Sequence, residues 1–305
     1  MRTCIICLAV VYLPELLVST SAAEDAPYSQ QENVVFGEVH GVGLLMDVFT
    51  PKGDKNGLGI VDVISGAWHS DRGKIRDHAR AQTFEILCRK GYTVFAIRPG
   101  SVTKFSAPEM LSNLNEGIRW VKEHSKSYGV DADRLGLMGA SAGGHLACLA
   151  AVSAKKPDET AGPSTKNGGT RVRAVAVFFP PTDFLNYGGK PFDASSDDRL
   201  SQLIRRLARS PEPAVETAEQ MTERVTQISP ARLVTPEAPP FLLIHGDADT
   251  VVPLQQSEVM LAALKKAGVP AELIVKAGGG HPWLTLHEEV QVVADWFDRH
   301  LVATP

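Results

Sequence analysis

The chain has 305 residues, 31 Lys and Arg against 35 Asp and Glu, a formal net charge of −4 and a 44% hydrophobic content. A chain of this size folds as one large domain or two small ones and buries roughly 75% of its unfolded surface. The acidic balance supplies no broad surface to neutralise phosphates, which argues against nucleic acid as a partner, and four cysteines are too few for a disulfide scaffold.

Residues 1–23 read as a secretory signal. Met1-Arg2 is a short basic start and residues 3–13 are almost wholly apolar. Pro14 and Glu15 interrupt the run, Leu16-Leu17-Val18 resume it, and Ser21-Ala22-Ala23 offers the small residues a signal peptidase accepts. The run is shorter than the roughly 20 apolar residues of a bilayer span. The expectation is cleavage near Ala23, a secreted or periplasmic protein, and no stable membrane span. Cleavage would remove Cys4 and Cys7. Cys88 and Cys148 sit in separate apolar helical patterns and read as buried thiols.

Strands and helices then alternate. Residues 33–39 and 44–49 are β-rich and joined by Gly41-Val42-Gly43, a hairpin signal. Residues 58–64 form an apolar run broken only by Asp62, as a buried strand requires. Apolar residues at helical spacing over 81–90 end at Gly91, a C-cap signal. A strand follows at 92–97, an amphipathic helix at 108–128 closed by Gly129, a strand at 134–138 and an Ala/Leu-rich helix at 142–154. Strands at 172–179, 241–245 and 271–275 and helices at 254–267 and 285–302 complete the pattern. Such alternation implies βαβ units and a mostly parallel sheet with helices on both faces, one α/β domain over residues 24–305. Residues 155–170 are polar and read as an exposed loop. Residues 183–229 are a partly helical insertion between two strands, suited to a cap over a site or to a solvated excursion.

Three segments carry chemistry. Gly139-Ala140-Ser141-Ala142-Gly143 is a G-x-S-x-G sequence between a strand and a helix. A sharp strand-to-helix turn there lifts a serine hydroxyl clear of the sheet, and its crowded backbone demands small neighbours. His245-Gly246-Asp247-Ala248-Asp249 follows an apolar strand and offers two carboxylates, either of which can orient a catalytic histidine. Gly278-Gly279-Gly280-His281 follows the last strand, where glycines let a histidine reach across the sheet. An oxyanion hole needs backbone N–H donors. Ala142, directly after the serine, is one, and the loop Ile64-Ser65-Gly66-Ala67-Trp68 offers the other.

The remaining histidines read otherwise. His145 is placed against the core, and His245 supports the acid loop. His40, His124, His287 and His300 fall in hairpin or helix-surface contexts, and His69 and His78 sit in the loop after the third strand, read first as solvated side chains and second as lining for a substrate site. No pair has metal-ligand spacing, so no metal or other cofactor is expected.

These motifs resemble the α/β-hydrolase superfamily, in particular secreted esterases and lipases of the hormone-sensitive-lipase-like and feruloyl-esterase-like groups. The similarity runs over 34–301, and includes Ile118-Arg119-Trp120-Val121, the stretch from Tyr128 to Leu135, and Pro181-Thr182-Asp183-Phe184. The resemblance implies a Ser141, Asp249, His281 triad, selecting Asp249 over Asp247, and oxyanion donors at Gly66, Ala67 and Ala142. Where many relatives carry His-Gly-Gly-Gly or His-Gly-Gly-Ala before the Trp, this chain has Ile64-Ser65-Gly66-Ala67, which removes a side-chain support for that loop. The resemblance also places the helices of Cys88 and Cys148 on opposite faces of the sheet. It implies a serine carboxylic-ester hydrolase working through an acyl-enzyme on small or carbohydrate-linked esters. The alternatives are a serine peptidase of the prolyl-oligopeptidase type, suggested by the 245–253 loop, and a non-catalytic binding protein of the same fold.

Overall fold

A computed structural model describes residues 26–154, 169–210 and 217–302. The signal expected at 1–23 lies outside these residues, as does the loop expected at 155–170 apart from its last two.

The chain opens with an antiparallel pair, β1 (Tyr28–Val39) and β2 (Val42–Pro51). Val39 pairs with Val42, so the turn is His40-Gly41, one residue earlier than expected. Both turn residues have positive φ (51° and 71°), as a two-residue hairpin that follows strand twist requires. β3 (Gly59–Val63), β4 (Thr93–Arg98), β5 (Leu135–Ala140), β6 (Ala174–Phe178), β9 (Phe241–Gly246) and β10 (Ala271–Lys276) add the parallel strands. The resulting eight-stranded sheet has the order β1-β2-β4-β3-β5-β6-β9-β10. β4 lies on one side of β3 and β5 on the other. Chain connections diverge at that point, so a crevice opens at the carboxyl ends of β3 and β5, where open α/β sheets place ligands.

Two apolar layers enclose the sheet. One face carries α3 (Ala107–Tyr128), α4 (Ala142–Val152) and α7 (Gln255–Lys266); the other carries α1 (Arg72–Arg80), α2 (Thr83–Arg89) and α8 (Leu286–Leu301). Helix α3 begins with a capping box in which Ser106 and Glu109 satisfy each other's end of the turn, and stops at Gly129 in the left-handed region. Cys148 is buried in the first layer and Cys88 in the second, both as free thiols. Burial pushes both thiols up, Cys88 to about 12.

Helix α1 corrects the solvated loop expected after the third strand. Its sequence has a single buried apolar residue, Ile75, so no apolar periodicity announces it. Polar groups hold it instead. The Asp71 side chain accepts from Gly73 N at the N-cap, and Arg72 Nη1 reaches the fully buried Asp47 of β2 at 3.1 Å.

The insertion contains a two-stranded ribbon, β7 (Asn186–Tyr187) with β8 (Lys190–Pro191), then α5 (Arg199–Ala208) and α6 (Ala218–Gln227). Ile204, Leu207 and Val225 pack these helices onto the α3/α4 layer. Tyr187 Oη donates to Val251 O and Gly188 N to Gln255 Oε1, which ties the ribbon to the segment after β9.

Candidate active site

Ser141 sits between β5 and α4 with φ 53° and ψ −120°, a strained conformation for a residue with a side chain. The neighbourhood enforces it. A Cβ on Gly139 would lie 2.6 Å from the Gly143 carbonyl, and one on Gly143 would lie 2.2 Å from Val63 O. Ser141 N donates to Phe178 O and Gly143 N to Ser65 O, so the turn is bonded to the strand ends on both sides. The small residues of G-x-S-x-G are thus a packing requirement.

His281 and Asp249 converge on this serine. His281 Nε2 lies 3.0 Å from Ser141 Oγ, and its Nδ1 lies 2.6 Å from Asp249 Oδ2. The other Asp249 oxygen accepts from Val251 N at 2.8 Å and Val252 N at 2.9 Å, which fixes the carboxylate. His245 stands beneath, with Nε2 2.8 Å from Val252 O and Nδ1 2.7 Å from Ser257 Oγ. Burial pushes His245 down, which keeps it neutral; its Nε2–H donates to the carbonyl while Nδ1 accepts from the serine.

Asp247 points elsewhere. Its Oδ1 accepts from Gly278 N at 2.7 Å, and Ala248 N donates to Gly279 O. A Cβ on Gly246 would lie 2.1 Å from that same Gly279 oxygen. The acid loop and the histidine loop therefore interlock through backbone contacts that only glycine permits, with Asp247 as a brace.

The oxyanion loop needs one correction. Gly66 N donates to His69 O, and His69 N returns the bond to Gly66 O, both at 2.9 Å. The Gly66 N–H expected as a donor is thus already committed. Among the described residues, the Ala67 and Ala142 N–H groups make no hydrogen bond, which leaves them as the pair of candidate donors. Ala67 and Trp68 both have positive φ (48° and 57°), so this loop is held under strain.

What holds it is a buried bridge invisible in the sequence. Trp68 Nε1 donates to His145 Nδ1 at 3.0 Å, and His145 Nε2 lies 2.8 Å from Ile228 O. Accepting at Nδ1 fixes the proton on Nε2, so both bonds require a neutral ring. Burial agrees, pushing His145 down to about 4. Phe184 packs edge-on against His145 and tilted against Trp68. His145, one turn beyond the serine, thus supports this loop and joins it to the end of the insertion.

Ser141 opens into a cleft of about 850 Å³. One side is apolar, formed by Trp68, Phe184, Tyr187, Leu200, Leu203 and Val251, so the insertion contributes a wall. The other includes Lys74, Asp77, His78 and Arg80 of α1. Phe179, also with positive φ (38°), lines the base and packs 4.4 Å from the His281 ring. Leu284 is fully exposed beside this cleft.

An eight-stranded, mostly parallel sheet with a strained serine at a strand-to-helix turn, faced by a histidine on a late glycine-rich loop, defines an α/β-hydrolase. Residues 46–264 match the BD-FAE family, and the chain belongs to that family. The curated relatives it matches include a probable carboxylic ester hydrolase, LipM, of Mycobacterium tuberculosis, 27% identical over 78% of this chain and 52% of that protein. Esterase LipQ of the same organism is 30% identical over 68% of this chain and 46% of its own length. The chain spans about half the length of these relatives. Among solved structures, a truncated form of a carbohydrate esterase from gut microbiota matches with a TM-score of 0.74 and 26% identity, covering 90% of this chain and 97% of that one.

Proposed function

We propose that this protein is a serine carboxylic-ester hydrolase. The observation that carries the reading is the continuous relay Ser141 Oγ–His281 Nε2–Asp249, with its 3.0 and 2.6 Å links, at the base of an open cleft. In this reading His281 Nε2 takes the Ser141 proton as Oγ attacks the ester carbonyl. Negative charge collects on the carbonyl oxygen and is held by Ala67 and Ala142 N–H. Asp249 stabilises the imidazolium, which returns its proton to the departing alkoxide. Water, activated by the same histidine, then releases the acid from the acyl-enzyme. The carboxylic ester hydrolases among the relatives support ester over amide substrates. The carbohydrate-esterase neighbour favours a sugar-linked ester. The insertion would act as a fixed wall that selects part of the substrate.

Ser141→Ala should abolish turnover of 4-nitrophenyl acetate and labelling by a fluorophosphonate probe; an unlabelled wild-type protein would point to a binding protein instead. We propose export as well, and N-terminal sequencing of protein recovered outside the cytoplasm should begin just after Ala23.

A further inference from the structure

A second histidine–aspartate pair borders the same cleft. Asp62 of β3 is fully buried and pairs across the ladder with Met138 of β5, itself a cleft residue. His78 of α1 rests on it, Nδ1 to Oδ2 at 2.7 Å. The other Asp62 oxygen is buried and has no partner among the described residues, so the carboxylate serves His78 alone. The opposite ring nitrogen, Nε2, hydrogen-bonds to nothing among the described residues, although the side chain is only 12% exposed and lines the cleft.

Fold stability does not account for this arrangement. A buried ion pair is commonly no more stable than apolar packing of the same volume. Helix α1 is also anchored independently by Arg72 and Ile75. Burial pushes His78 down, but the charge and hydrogen bond of Asp62, helped by Asp77 and opposed by Lys74, outweigh it and leave the group above its usual value. The ring is thus inclined to its doubly protonated form, in which Nε2–H is a donor. The α1 side of the cleft carries further polar groups, Lys74, Asp77, Arg80 and Thr83, beside the apolar Trp283, Leu286 and Val290, whereas the residues that the insertion contributes are apolar and aromatic.

We propose that His78, oriented by Asp62, is a specificity-determining residue whose Nε2–H donates to an oxygen on the alcohol portion of the substrate, so that esters of polyhydroxylated, sugar-like alcohols are chosen over esters of plain alcohols. The apolar wall then receives the acyl group. This inference rests on the ester-hydrolase reading.

The test compares kcat/KM for a monoacetylated methyl xyloside and for cyclohexyl acetate, which share the acetyl group and ring size but not the ring substituents. Wild-type protein should prefer the xyloside. His78→Phe should lose about 10- to 100-fold on the xyloside, the worth of a hydrogen bond to a charged group, and less than about threefold on cyclohexyl acetate. Because the single variant strands a buried carboxylate, Asp62→Val/His78→Phe, which removes both charges, should give the same pattern. Equal losses on the two esters in a folded variant, or a wild-type enzyme without the preference, would overturn the inference while leaving the ester-hydrolase reading intact. A wild-type protein inactive on both esters and on 4-nitrophenyl acetate would overturn both.

Discussion

Two histidine–aspartate pairs border one cleft, and they are built differently. Asp249 is saturated: two backbone N–H groups and His281 hold it, with the neutral His245 beneath. Its histidine sits on a glycine-rich loop and ends on a serine hydroxyl. Asp62 has one unpartnered oxygen, and its histidine sits on a helix and ends on open cleft. A histidine–carboxylate contact of 2.6–2.7 Å is therefore not in itself a catalytic unit. What differs is the atom at the far ring nitrogen. In the proposed reading, a serine hydroxyl there makes an acid–base relay, while open cleft makes a recognition group.

The sharpest way to break this comparison is to neutralise each acid in turn. Asp249→Asn should lower kcat on 4-nitrophenyl acetate by about 10⁴-fold, since it disturbs the tautomer that His281 needs. Asp62→Asn should lower it by less than about fivefold on this oxygen-poor ester. Equal losses would erase the distinction. The brace can be separated from the acid in the same assay, with Asp247→Asn costing less than about fivefold.

A second prediction probes the elbow on which the first pair depends. Gly143→Ala drives a methyl group to 2.2 Å from Val63 O, a backbone atom at the end of β3. A loss of more than about 3 kcal/mol is expected in urea unfolding, at the severe end of single substitutions.

His145 sharpens the comparison from a third direction, as a histidine that must stay neutral. In the folded protein burial holds it near 4, against an ordinary value of 6.5. Between these limits the unfolded chain binds more protons, so stability rises with pH. Its contribution is full above about pH 6.5 and is lost as pH falls toward 4, by up to about 3 kcal/mol. His145→Gln should flatten that part of the stability profile, measured by urea unfolding from pH 7 to pH 4.5. An unchanged slope would show that the Trp68 bridge tolerates the imidazolium. The smallest effect concerns the thiols: burial pushes Cys88 to about 12, so Cys88 and Cys148 should show almost no reaction with Ellman's reagent at pH 8 in the native protein and should both react after unfolding.

Much of this architecture was legible in the chain. Parallel strands buried on both faces read as apolar runs, and helices packed on one side read as periodic ones, so their order and approximate limits follow from burial. The turn at Ser141 was legible because steric crowding there demands small residues, and Gly139 and Gly143 are what that crowding permits. Helix α1 was not legible, because Arg72 and Ile75 anchor it through contacts to Asp47, Asn33 and the core, with no repeating apolar face. The commitment of Gly66 N–H to His69 was equally hidden, since it depends on a local turn with two positive-φ residues that are not glycine.

By itself the sequence determined the sheet, its flanking helices and the three segments from which Ser141, Asp249 and His281 come, because strand burial, helix periodicity and turn crowding act over a few neighbouring residues. Only the tertiary structure decided which N–H groups of the loop after β3 stay free and what the other buried histidines hold. Those choices join residues as far apart as Trp68 and His145, or Asp62 and His78 across a helix and a strand, and rest on distances of a few tenths of an ångström that no local pattern encodes.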